Sequence, residues 1–312
     1  MQPYAAGSVA LGLHPPNAGA HDQVEAVLRQ AVAAESAGFA GATLSEHHAG
    51  FPGYLPAPLL VSSWILAETT RLWSGPTPTL ITVRNPALLA EEIAWTAARY
   101  PGRLGVAVAA GYTPADFTTL GLSQEGLAQR FADGVATLRR TLAGEGPLAA
   151  DPAIAALATG SIPLLHAAHS ASAAAKAAEH GTGILLIGSD DASRAGRLTA
   201  AYAAAGGFGP RVWIRRVHLG DVPQRVLDEL ERAFVGHDRS RGGALNDVIT
   251  GGPAEIVDRL LAETRALGPN TALNLRVQLP GLGQGAVLEQ IAALGADVLP
   301  ALAHEWSSRA AL

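Results

Sequence analysis

Residues 42–54 read ATLSEHHAGFPGY, which sets Glu46, His47 and His48 side by side between an apolar run and a turn rich in Gly and Pro. An imidazole with an ordinary pKa of about 6.5 exchanges a proton near neutral pH, so a histidine here is a candidate general acid or base. Neighbouring residues on a strand face opposite ways, so only one of the two can enter a site while the strand stays regular. The structural alternative is that one ring holds a loop hydrogen bond and the other packs at a rim. No metal is expected, because neither an i, i+4 helical spacing nor a third ligand accompanies the pair.

Two other stretches could bind a ligand. In HAAHSASAAAKAAEHG (166–181), His169, Ser170 and Ser172 stand where a strand turns into a helix. Serines cap helices well, and the unpaired N–H groups of a helix start attract an anion such as a phosphate. The alternative there is an ordinary capped helix. In GVAVAAGYTPADF (105–117), Ala109, Ala110 and Gly111 would let a flat ligand lie against the backbone beside Tyr112, or would serve only to pack a core. Neither GxGxxG nor GxxxxGK[ST] occurs, so a dinucleotide or P-loop fold has no support.

These residues need a frame. Short β-like runs at 8–14, 41–47, 72–81, 103–110, 162–168, 183–188, 212–219 and 273–279 alternate with stretches of helical period, among them 22–38, 86–100, 170–181, 252–268 and 286–302. Asp22 is expected to cap the first helix, Gly38 to end it, and Pro86 to open another. Eight βα units without a low-complexity linker predict an α/β fold, a (β/α)8 TIM-like barrel with insertions in the βα loops, formed by residues 1–312 as a single domain. An irregular insertion is expected at 150–161 and a loop across the barrel face at 236–253. In such a barrel the site is built at the C-terminal ends of the strands, which puts His47 and His48 at its mouth.

The whole chain narrows the chemistry. Of 312 residues, 48% are hydrophobic and 16% charged, enough apolar material for a large core. A net charge of −5 argues against nucleic acid, which needs clustered basic residues, and favours a small-molecule substrate. Without a cysteine there is no disulfide, thiolate ligand or cysteine nucleophile. No leader-like N-terminus and no uninterrupted apolar stretch of about 18 residues is present, so a cytoplasmic protein with no membrane partner is expected.

AGFAGATLSEHHAGFPG (37–53), TTRLWSGPTPTLITVRNPALLAEE (69–92), PGRLGVAVAAGYTPADFTTLG (101–121), PLLHAAHSASAAAKAAEHG (163–181) and GGPAEIVDRL (251–260) followed by LRVQLPGL (275–282) together resemble the bacterial luciferase-like, flavin-dependent monooxygenases, in order and over nearly the whole chain. The resemblance implies a TIM-like barrel, a homodimer, and reduced FMN bound transiently at the strand C-termini. It implies use of O2 to oxygenate a small organic substrate, with a separate flavin reductase supplying the reduced FMN. His47 and His48 are the catalytic candidates. The first matches the family's base and is expected to face the flavin, while Glu46 and His48 support the loop. Flavin-binding candidates are Thr77 and Pro78, expected to be joined by a cis peptide, together with Asn85, Ala109, Ala110, Gly111, Tyr112, His169, Ser170 and Ser172. Ala110 replaces an arginine that relatives place on the flavin phosphate, and Ala173 replaces a hydroxyl residue. The alternatives are a sister branch using the deazaflavin F420 and a non-catalytic flavin-binding member.

Overall fold

Gly75 and Gly105 let two backbones meet where the barrel closes: a Cβ built on Gly75 would stand 1.7 Å from the Gly105 carbonyl oxygen. At this seam Ser74 bridges Leu104 in parallel, its N–H donating to the Arg103 carbonyl at 2.9 Å. The computed structural model describes residues 2–157, 162–187, 192–235 and 248–310. Its strands are β1 (Val9–Gly12), β2 (Gly41–Leu44), β3 (Trp73–Pro76), β4 (Thr79–Leu80), β5 (Val106–Ala109), β6 (Leu164–Ala167), β7 (Gly183–Leu186), β8 (Arg211–Leu219), β9 (Val248–Gly251) and β10 (Thr271–Arg276). They run in the order β3-β2-β1-β10-β8-β7-β6-β5-β4, all pairs parallel, with β9 added to β8. The two ends of that order, β3 and β4, are halves of one expected strand, so the sheet closes on itself as a TIM-like barrel.

Side-chain parity sorts each strand between an inner and an outer layer. Ala10, Trp73, Ala107, Leu165, Ala167, Leu185, Val212, Ile214 and Ala272 form the inner cluster, with Tyr4 packed edge-on against Trp73 at 4.7 Å. Residues of opposite parity, such as Leu11, Leu44, Ile184, Trp213, Leu273 and Leu275, pack outward with the helices.

The helices are α1 (Ala20–Ser36), α2 (Pro58–Glu68), α3 (Pro86–Arg99), α4 (Pro114–Thr118), α5 (Leu127–Leu142), α6 (Pro152–Leu157), α7 (Ala171–Glu179), α8 (Ala192–Ala204), α9 (Gln224–Val235), α10 (Pro253–Leu267), α11 (Gln284–Asp297) and α12 (Leu299–Ala310). Gly38, at φ +88°, follows α1 as expected, because a left-handed residue there costs glycine little.

Five expectations are corrected. The run 72–81 is broken at Thr77–Pro78, whose peptide is cis, as anticipated from the resemblance. Gly19, not Asp22, is the N-cap of α1, and Asp22 lies in the first turn, where a carboxylate still suits the helix dipole. Residues 152–157 of the expected insertion are helical, while 158–161 lie outside the described residues. Of the expected loop 236–253, residues 236–247 lie outside the described residues and Val248–Gly251 is β9. The stretch 286–302 bends at Val298, which separates α11 from α12. Gln284–Trp306 is long and apolar enough to cross a membrane by length and composition; 28% of its apolar window is buried, including Val287, Ile291 and Leu294.

Candidate active site at the barrel mouth

Parity along β2 and the residues after it decides which histidine enters the barrel. Ala42 and Leu44 belong to the outer layer, so Thr43, Ser45 and His47 take the inner parity. Thr43 accepts a 2.7 Å hydrogen bond from Asn274 on β10, and Ser45 accepts one of 3.0 Å from Arg276. His47 is buried, stacked on Phe51 at 4.3 Å between centroids and meeting Tyr54 edge-on at 4.6 Å and Tyr112 at 5.7 Å.

His47 Nδ1 lies 2.9 Å from Asp116 Oδ2, and the other oxygen of that buried carboxylate accepts the backbone N–H of His48 at 2.7 Å. An ionised carboxylate can only accept, so Nδ1 carries the proton and Nε2 holds the lone pair. Burial lowers the His47 pKa below its ordinary value; Asp116 opposes this without cancelling it, and Arg276 adds to the lowering. The ring is therefore neutral at neutral pH and suited to accept a proton.

His48 has a different surrounding. Its Nε2 donates to Glu46 Oε1 at 2.7 Å. Buried Glu46 also accepts from Thr79 Oγ1, from the Leu80 N–H at 2.9 Å and from Arg84. Burial raises the Glu46 pKa, but His48, Arg84, Thr79 and Leu80 outweigh it and leave it lowered. This carboxylate ties the loop after β2 to β4 and the residues that follow it.

The remaining candidates divide. Thr77 is buried, with the Tyr4 hydroxyl 2.9 Å from its Oγ1 and the Ser45 hydroxyl donating to its carbonyl at 2.7 Å. Pro78 accepts the Glu46 N–H through its carbonyl at 3.0 Å. Ala109, Ala110 and Gly111 are half-buried at the end of β5, with Gly111 at φ +80°, and Tyr112 is 69% exposed. His169, Ser170 and Ser172 are exposed at the start of α7. Ser170 caps α7, its Oγ accepting from the Ala173 N–H at 3.1 Å, which leaves the hydroxyl proton to donate outward. That donor and the backbone N–H groups of the first turn fit a phosphate, although Ala110 and Ala173 bring neither cation nor hydroxyl. Asn85 stands at the start of α3. It caps α3 by accepting from Ala87 and Leu88, and it lines a groove of about 620 Å³ with Arg140 and Leu148.

Sequence reasoning missed Asp116, Tyr54, His14, Arg216 and Arg276. Asp116 lies in the stretch GVAVAAGYTPADF, where the sequence offers nothing that pairs it with His47. The arginines did carry a signal: WIRRVH and NLRVQL each place a charge inside a run otherwise apolar enough for a two-sided buried strand.

The model of the luciferase-like monooxygenase family matches residues 6–247, and the chain belongs to that family. Its fold is shared with a monooxygenase, RslO1, from Streptomyces bottropensis, at TM-score 0.76 and 20% identity over 94% of this chain and 99% of that one. It is also similar to the FMN complex of the oxygenating constituent of 3,6-diketocamphane monooxygenase from Pseudomonas putida, at TM-score 0.75 and 17% identity, covering 94% and 98%. An F420-dependent secondary alcohol dehydrogenase aligns at TM-score 0.74 and 15% identity over 95% and 98%. Among curated sequences, protein y4vJ of Sinorhizobium fredii is 29% identical over 109 residues, 34% of this chain and 31% of its own length. The chain thus spans about a third of that relative.

Proposed function

We propose that this chain is an FMN-dependent monooxygenase that receives reduced flavin from a separate reductase and uses O2 to oxygenate a small organic substrate. One observation carries the reading: an inward, neutral His47 oriented by buried Asp116 in a ring of Phe51, Tyr54 and Tyr112. Bound reduced FMN supplies the electrons that activate O2. Ala109, Ala110, Gly111 and Tyr112 would hold its ring, and Ser170, Ser172 and the start of α7 its phosphate.

The chain's own contribution is proton handling. Nε2 of His47 accepts a proton and returns it, while Asp116 fixes the tautomer and steadies the charge that forms. Burial of the ring against Phe51 and Tyr54 limits its own contact with water, which favours exchange with a bound reactant. The same arrangement supports an enzyme over a flavin carrier, because a carrier has no use for a buried, oriented base.

A homodimer is part of this reading. Leu60 and Trp64 on α2 and Leu88 and Trp95 on α3 are 52%, 38%, 53% and 55% exposed, on two helices whose inner sides share one core cluster. Exposed apolar side chains on neighbouring helices support a face shared between two copies.

The experiment is an absorbance titration with FMN and with F420, followed by oxygen uptake under reduced FMN. Binding of FMN and stimulated uptake support the reading. Binding of F420 alone assigns the chain to hydride transfer, and FMN binding without uptake under any substrate makes it a carrier.

A further inference from the structure

The chain leaves β1 as LHPP, and the histidine there has no part in the proton handling above. Ala10 belongs to the inner cluster and Val9, Leu11 and Leu13 to the outer layer, so His14 takes the inner parity shared by Gly12. Its ring meets Tyr54 edge-on at 5.3 Å, and Tyr54 meets His47 edge-on at 4.6 Å. One tyrosine therefore sets the two histidines within the span of a small organic molecule.

His14 is held first by its backbone. Pro15 after it favours an extended chain, and buried Gln30 of α1 brackets it, accepting its N–H at 3.4 Å and donating to its carbonyl at 3.0 Å. The other amide hydrogen of Gln30 goes to Gln284 Oε1 at 3.0 Å, which ties the bracket to α11. The ring is fixed as well. Nδ1 lies 3.3 Å from the Gly12 carbonyl oxygen, which can only accept, so Nδ1 carries the proton and Nε2 the lone pair. Among the described residues no hydrogen bond reaches Nε2. Burial, then Arg276 and Arg216, hold the His14 pKa well below its ordinary value, so the ring is neutral at neutral pH.

His14 and His47 thus present the same thing to the mouth, an uncharged acceptor nitrogen in a ring whose own proton is engaged elsewhere. A ketone or ether oxygen only accepts and gains nothing from such a nitrogen. An ammonium donor is repelled by the same Arg276 charge that opposes protonation of the ring. The complementary group is an uncharged donor. We propose that His14 Nε2 receives a hydrogen bond from the hydroxyl of a hydroxyl-bearing organic substrate, and so selects it and orients it beside His47, an assignment that rests on the flavin-dependent reading above. His14 is a specificity residue in this arrangement, because a molecule without the O–H leaves a buried nitrogen unpaired. Gly12, Gln30 and Gln284 keep that acceptor aimed before the substrate arrives.

Phenol is the probe, and anisole, the same ring without the O–H, is its control. Both are titrated by ligand-observed NMR into the wild type, His14→Leu and His14→Gln, and FMN is titrated into each by absorbance. The expected result is a wild-type preference for phenol of roughly three- to tenfold, the share of one net hydrogen bond, lost in His14→Leu and kept in His14→Gln, whose carbonyl oxygen also accepts. FMN affinity should be equal in all three. Should His14→Leu fail to fold, nitrogen NMR of the wild type decides: the His14 Nε2 resonance should move on addition of phenol and stay in place with anisole. Equal binding of phenol and anisole by the wild type overturns the proposal. So does a preference that survives in folded His14→Leu or disappears in His14→Gln, which leaves the ring a packing role alone. Loss of FMN affinity in His14→Leu overturns it too, by placing the ring on the flavin. A preference that depends on His14 in a protein that binds no FMN upholds the hydroxyl contact and overturns the flavin-dependent reading.

Discussion

His47 Nδ1 stands 2.9 Å from Asp116 Oδ2, across 69 residues of chain, and the same carboxylate holds the His48 N–H at 2.7 Å. One buried acid on the short helix α4 thus fixes both the ring and the backbone turn that follows it. If Asp116 sets the tautomer, Asp116→Asn should remove that control, because an amide can accept or donate. Nitrogen NMR of His47 should show a mixed or inverted tautomer. Its pKa should fall further, since the carboxylate raises it more than Glu46, the other group that does so. An unchanged tautomer and titration would mean that the aromatic walls alone orient the ring.

The adjacent histidines should separate by assay. His47→Ala should lower substrate oxygenation by roughly 10²–10⁴-fold, the usual share of general acid–base catalysis, with FMN affinity little altered; leaving buried Asp116 Oδ2 without its ring donor should also cost about 1–3 kcal/mol of stability. His48→Ala removes one of four donors from buried Glu46 and should cost a similar amount of stability while oxygenation by the folded protein is retained. Denaturant titration beside oxygen uptake distinguishes the two. A His48 variant that is inactive but fully stable would reverse the roles.

Much of this was legible before any coordinates. Alternation of β-like and helical runs showed eight βα units, and strand parity alone said that only one of His47 and His48 could face inward. What the sequence hid were relations set by the loops. Asp116 reaches His47 only because Gly111, at φ +80°, turns the chain after β5 so that Phe117 packs beneath it. β9 was hidden because its pairing with β8 is a long-range hydrogen-bond pattern, whereas its sequence, VITG, sits in a Gly-rich stretch that reads as loop. Asn85 also caps α3, a local use that a single Asn before Pro serves and that the spacing alone does not separate from a ligand-facing one.

Barrel closure gives a stability test. A methyl on Gly75 would overlap the Gly105 carbonyl oxygen at 1.7 Å, and backbone cannot move aside as a side chain can. Gly75→Ala should therefore cost at least about 3 kcal/mol, placing it among the severe substitutions. Gly283→Ala, whose Cβ meets nothing within 4 Å, is the matched control. Equal midpoints for the two in chemical denaturation would refute the tight seam.

Acid should weaken the fold through the outer layer of β6. His166 is buried, edge-on to Phe131 at 4.6 Å and parallel to His180 at 6.0 Å. Its pKa is pushed down to about 4 by burial, then by His180, Lys176 and His169. A histidine with a lowered folded pKa binds fewer protons folded than unfolded, so stability falls as pH drops through 6.5 toward 4 and the loss from this group levels off below that. The shift corresponds to about 3 kcal/mol. His166→Asn should flatten the stability profile across this window, as read by melting temperature against pH. A profile of unchanged slope would assign the acid sensitivity to His14, His47, His180 or His218, all of which are also lowered.

The phosphate assignment at α7 can be tested without disturbing the helix. Ser170 has two duties in the proposal, capping Ala173 through Oγ and donating its hydroxyl proton to a phosphate. Alanine would abolish both and cost about 0.5–2 kcal/mol of capping, so reduced binding could follow from a frayed helix. Aspartate caps as well as serine and favours the positive end of the helix dipole, but it opposes an incoming phosphate by like charge and has no proton to give. Ser170→Asp should keep the melting temperature and the helical signal while weakening FMN at least tenfold. Riboflavin, which lacks the phosphate, should bind the variant and the wild type alike. Equal FMN affinity in both proteins would remove the start of α7 from the flavin site, and a matching loss for riboflavin would mean that the substitution acts on the pocket rather than on the phosphate.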